Sequence, residues 1–125
     1  VSDMLDNVEK LVKLVKASKT GPIKAGKETS PSVLLIAPPE LNPEGLHVFP
    51  DYSPEAVEQS KAFNLALEQK AADLKCGFLR LKALKADPRD GLHLSVAKHH
   101  LLGHAVADWL WEKSPGLRRA MSRHK

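Results

Sequence analysis

The 125 residues include 19 Lys and Arg, 15 Asp and Glu and six His, a formal net charge of +4, with 42% hydrophobic and 27% charged residues. That is the composition of one ordinary globular domain. It excludes a disordered, collagen-like or low-complexity chain, and no apolar run approaches the roughly 18–20 residues of a membrane span.

Met4, Leu5, Val8, Leu11, Val12 and Val15 recur with the period of one helix face, which predicts an amphipathic helix over 3–17, capped by Ser2, with Lys10, Lys13 and Lys16 toward water. Residues 18–32 are rich in helix breakers and read as a loop. Val33–Ala37 is an unbroken apolar run before Pro38-Pro39, and continuous rather than alternating hydrophobicity predicts a parallel strand buried on both faces. Residues 38–53 form a long loop at the carboxyl end of that strand, where open α/β sheets place their binding sites. Ser53-Pro54-Glu55 starts a second helix that is expected to run to about Lys75, with Gly77 as its stop. Phe78–Leu81 reads as a second strand, Ala86–Gly91 as a turn-rich loop, and a last helix begins near Ser95. Its stripe of Leu101, Leu102, Ala105, Val106, Trp109 and Leu110 covers one side.

The order is α-β-α-β-α. Two parallel strands are too few to be covered on both faces, so the sheet reads as incomplete alone. Either further strands lie in another segment or polypeptide, or two copies of the chain complete each other as a homodimer. The chain does not begin with Met and shows no basic-then-apolar leader, which predicts a processed or truncated chain. Lys113, Arg118, Arg119, Arg123 and Lys125 sit in the last 13 residues, and the remainder, with 14 basic and 15 acidic residues, is nearly neutral. Residues 113–125 therefore read as a frayed, solvated basic tail, and nucleic acid is disfavoured as a partner. Cys76 is the only cysteine, which rules out an internal disulfide, suits a reducing compartment such as the cytoplasm, and reads as a structural thiol.

The sharpest chemical signal is Asp90-Gly-Leu-His-Leu-Ser95, between the second strand and the last helix. A carboxylate three residues before an imidazole can accept from one ring nitrogen, fix the tautomer and stabilise the imidazolium. The other nitrogen is then available to a hydroxyl nucleophile. On spacing alone, a turn Asp beside a half-buried His stays open. So does a non-catalytic α/β interaction module.

Asp90-Gly-Leu-His-Leu-Ser, followed by His99-His-Leu-Leu-Gly103 and Ala105–Leu110, resembles the last block of the SGNH hydrolases, the GDSL esterase/lipase family. Val33–Pro39 is similar to that family's penultimate core strand and the loop after it. The resemblance spans residues 1–112 and is strongest to the arylesterase and acetylesterase branch. It implies a segment of a flavodoxin-like three-layer α/β/α parallel sheet, carboxylic-ester hydrolysis without metal or other cofactor, and a small ester substrate. It makes His93 the general base and Asp90 the residue that orients it. The family's Gly-Asp-Ser and Gly-x-Asn-Asp motifs have no counterpart: none of the nine serines follows Gly-Asp, and Asn7, Asn42 and Asn64 lack the second context. The nucleophile and two oxyanion donors are thus expected on an N-terminal segment or second chain, and this polypeptide alone is expected to be inactive.

Three other groupings carry weaker signals. His47, Phe49 and Tyr52 in the long loop are candidate substrate-binding residues. His100 and His104 have a zinc-compatible spacing but need a third ligand such as His99 or Asp108, and packed or solvated helix histidines are the simpler reading. Trp109 and Trp111 point to opposite sides of a helix, so they form no common stacking surface, and Trp109 reads as core.

Overall fold

The computed structural model describes residues 1–123, as a small parallel sheet with its helices, a mixed α/β arrangement. The elements are α1 (Ser2–Ala17), β1 (Leu34–Ile36), a 3-10 turn (Leu46–Val48), α2 (Pro54–Asp73), β2 (Gly77–Leu79), α3 (Val96–Lys113) and α4 (Pro115–Ser122). β1 and β2 pair in parallel, Leu34 opposite Gly77, Leu35 opposite Phe78 and Ile36 opposite Leu79, with α2 as the crossover between them.

Both strands are shorter than the apolar runs that announce them. Ile36 is 40% exposed and its neighbours half-buried, so β1 is not covered on both faces as its continuous hydrophobicity predicts. A sheet of two strands has too few neighbours to cover it. The packed interior lies instead around α2: Val57, Phe63, Leu67 and Ala71 face inward with Val12 of α1, and Ala37, Leu46, Leu84 and Ala86 of the loops are also buried. Burying Phe63 and Leu67 contributes roughly 2 kcal/mol each.

Helix ends follow local chemistry. Pro54 occupies the first turn of α2, where its missing N–H costs nothing, and Ser95 Oγ accepts from Lys98 N to cap α3. Ser2 lies inside α1 rather than capping it, and Val1 holds the cap position. Of the predicted α1 stripe only Val12 is buried, while Met4, Leu11 and Val15 are exposed. Lys16 is not turned to water: its Nζ donates to the carbonyls of Leu74 and Lys75 and fastens α1 to the end of α2. Glu9 makes a second tie, accepting from Lys70 of α2 at 2.7 Å.

Gly77 does not stop α2. The helix ends at Asp73, and Lys75 takes the left-handed conformation at φ 54°. Gly77 is needed for a different reason: a Cβ there would lie 2.3 Å from Trp109 Cζ2, so the indole of α3 packs straight onto the strand backbone. Trp109 is accordingly half-buried, and no residue of α3 is fully buried. Gly77→Ala is expected to lower stability by about 1–3 kcal/mol through overpacking, measurable as a shifted urea midpoint with an unchanged m-value.

Residues 115–122 form a helix. Pro115 ends α3 as expected, but its fixed φ also suits a first helical turn, and α4 follows at once. Lys125 lies outside the described residues.

Candidate active site

Beyond the paired strands, two loops continue side by side at the carboxyl end of the sheet. Ala37 N donates to Leu79 O, Glu40 N to Leu84 O, and Ala86 N back to Glu40 O, so residues 37–40 and 79–86 extend the parallel ladder. Arg80 pairs with Glu40 at 2.9 Å across it. Helix α2 holds the first loop from behind: buried Asn64 donates Nδ2–H to Pro38 O at 3.0 Å, and Ser60 Oγ accepts from Leu41 N at 3.3 Å.

Asn42 then joins the two loops. Its backbone N donates to Gly91 O at 3.0 Å, its Nδ2 to Ala86 O at 3.2 Å, and its Oδ1 accepts from Glu44 N. The contact is backbone on backbone. A Cβ on Gly45 would lie 2.2 Å from Gly91 N, and a Cβ on Gly91, itself at φ 73°, would lie 2.3 Å from Asn42 O. Both positions therefore require glycine. In the sequence Asn42, Pro43 and Gly45 register only as turn formers; their pairing with Gly91 leaves no local trace.

Within the second loop, Asp87 N donates to His93 O at 2.7 Å and Gly91 N to Asp87 O at 2.7 Å, closing a compact turn. Asp87 is buried and held by a bidentate Arg89, with Oδ1 accepting from Nε at 3.0 Å and Oδ2 from Nη2 at 2.8 Å. Asp90 Oδ1 accepts from the N–H groups of Leu92 and His93 at 2.8 and 2.9 Å, leaving Oδ2 to face the imidazole. His93 Nδ1 stands 2.8 Å from that oxygen. A carboxylate only accepts, so Nδ1 carries the proton and Nε2 carries the lone pair of the neutral ring. The His93 side chain is 71% exposed, and Nε2 has no hydrogen-bond partner among the described residues.

The two backbone N–H donors and the imidazole pull the Asp90 carboxyl down from 3.8 to about 2, the His93 backbone contribution being the largest. A carboxyl with a depressed folded pKa stabilises the fold above its unfolded pKa, and that support disappears as pH falls through the folded one. The 87–93 turn is therefore expected to hold above about pH 4 and to loosen on acidification toward about pH 2. Amide exchange at Leu92 and His93 measured across that range checks it; protection unchanged at pH 2 contradicts it.

His47, Phe49 and Tyr52 do come together. They line one cleft of about 340 Å³ with Leu46, Pro50 and Val57, and the Phe49 and Tyr52 rings are 5.6 Å apart. His93 does not line that cleft, and His47 Nδ1 is engaged with Glu44 O at 2.9 Å. A second, mainly apolar cleft of about 400 Å³ is walled by Pro38, Pro39, Leu41, Phe63 and Leu92, with Tyr52 shared between the two; it reaches the turn through Leu92, and neither Asp90 nor His93 lines it. Pro38, Pro39, Leu41 and Leu92 are invisible as a group in the sequence because two loops supply them.

His99, His100 and His104 are exposed on α3, and no three His, Cys, Asp or Glu side chains among the described residues are placed to hold a metal ion. Cys76 is half-buried rather than sealed in the core, beside the amino ends of the strands.

No protein-family model and no curated protein matches the chain. Solved structures do. Est24, a carbohydrate acetylesterase from Sinorhizobium meliloti, is 29% identical with a TM-score of 0.68, over 86% of this chain and 50% of Est24. The chain is similar to one half of a carbohydrate acetylesterase. A carbohydrate acetylesterase family member from Sinorhizobium meliloti is 25% identical with a TM-score of 0.68, over 86% of this chain and 50% of its own. A third solved structure is 29% identical with a TM-score of 0.69, over 90% of this chain and again 50% of its own. The chain thus spans half the length of each of these solved structures, two of them carbohydrate acetylesterases, consistent with the C-terminal half of an SGNH-type acetylesterase. The small parallel sheet and its helices fit an incomplete esterase fold.

Proposed function

We propose that this chain supplies the histidine and aspartate of an SGNH-type serine esterase whose serine and two oxyanion donors lie on a Ser-bearing N-terminal segment or partner chain. The observation that carries the reading is the Asp90–His93 pair: a proton-bearing Nδ1 at 2.8 Å from an anchored carboxylate, with Nε2 open, on a fold shared with carbohydrate acetylesterases. In this reading His93 Nε2 takes the proton of the serine hydroxyl as it attacks the ester carbonyl. The imidazolium, stabilised by Asp90, returns that proton to the leaving alcohol. Water then repeats the sequence on the acyl-enzyme. The substrate is a small carboxylic ester, with acetyl groups on carbohydrate the first class to try.

The test is co-expression of this chain with its Ser-bearing complement, assayed on p-nitrophenyl acetate and an acetylated sugar. Hydrolysis by the assembled protein and none by this chain alone is expected. An assembled protein that folds but hydrolyses neither favours an interaction module that keeps the fold.

A further inference from the structure

Helix α4 is hard to account for by its own contacts. It has eight residues, none of them buried, and no side chain caps its start. A helix that short is marginal in water without a partner surface. Its residues nevertheless sort cleanly: Leu117, Ala120 and Met121 fall on one side at i, i+3, i+4 spacing, and Arg118, Arg119 and Ser122 on the other. The apolar side is only partly covered by α3. Leu117 is 39% exposed and Met121 52%. Trp111, at the end of α3, is 45% exposed and shares a shallow groove with Met121, Arg118 and Arg119.

Charge points to what covers this side. Residues 113–125 contain five Lys and Arg and no Asp or Glu. Arg118 and Arg123 stand on the two flanks of the Leu117–Met121 stripe, and neither forms an ion pair among the described residues. No helix among the described residues is long and apolar enough to cross a membrane. We infer that α4 and the end of α3 form an interfacial anchor that lies flat on an anionic lipid surface. Leu117, Met121 and Trp111 enter the headgroup boundary, and Arg118 and Arg123 meet lipid phosphates and carboxylates. A phosphate backbone alone would leave Leu117 and Met121 uncovered, which sets lipid above nucleic acid. A short convex helix also needs no matching groove on a flat bilayer.

The experiment is sedimentation of the full chain with vesicles of phosphatidylcholine alone and of phosphatidylcholine with phosphatidylserine. Each basic side chain near an anionic surface strengthens binding roughly fivefold, so two predict at least a tenfold preference for the phosphatidylserine vesicles, weakening several-fold in high salt. Trp emission should shift to the blue on binding, and Trp111→Phe should remove the shift, because Trp109 is packed on Gly77. Leu117→Ser with Met121→Ser, and separately Arg118→Glu with Arg123→Glu, should each abolish binding while leaving the helical circular dichroism of the protein unchanged. Equal binding to both vesicles, binding unaffected by either double substitution, or binding to duplex DNA with none to vesicles overturns the inference.

Discussion

Replacing His93 with alanine in the assembled esterase is expected to lower turnover by roughly 10⁶-fold, the scale of losing the base of a serine triad. The fold should be untouched, since the ring is mostly exposed and its Nδ1 bond serves only Asp90. Asp90→Asn is expected to cost about 10⁴-fold, because an amide facing Nδ1 can select the wrong tautomer. The same change also weakens the turn, since a neutral amide Oδ1 accepts the two backbone N–H bonds less strongly than a carboxylate does. The two variants thus separate by stability: urea unfolding should move for Asp90→Asn and stay fixed for His93→Ala. Turnover for His93→Ala within tenfold of the parent would remove the base from the account.

Gly45→Ala is expected to be the most disruptive single change in the loops. The backbone of Gly45 is itself unstrained, at φ −97°, so the cost comes from contact alone. A Cβ placed 2.2 Å from Gly91 N and 2.5 Å from Asp90 C cannot be accommodated by turning a side chain, because its neighbours are backbone. The 42–46 and 87–93 loops must separate, stripping the Asn42 N to Gly91 O bond, at about 3 kcal/mol or more. A shift of about 1 Å in His93 would in addition cost on the order of 100-fold in rate. Denaturant unfolding and turnover should fall together. A Gly45→Ala protein of parental stability and activity would show that the two loops are not rigidly joined.

What the sequence makes legible here is what local physics controls. Ser53-Pro54 announces α2 because the fixed φ of Pro54 suits a first helical turn, although Ser53 at the cap position makes no side-chain cap hydrogen bond. Asp90 and His93 meet because three residues of turn suffice to bring a carboxylate onto an imidazole. The apolar runs announce both strands and their parallel order, but not their length, which depends on how many neighbours a strand has. Features made by distant segments leave no such trace. Gly77 looks like a helix stop and is a seat for Trp109, while Gly45 looks like a turn former and is a contact with Gly91. Charge density makes residues 113–125 resemble a solvated tail, yet Pro115 starts a helix as readily as it ends one.

The most direct test of the central claim is fluorophosphonate labelling of the assembled protein, read by intact mass and peptide mapping. The account predicts a single adduct on a serine outside these 125 residues, formed rapidly with His93 present and at least 1,000-fold more slowly in His93→Ala, on the scale of a lost general base. An adduct on a serine of this chain, or labelling at the same rate without His93, contradicts it.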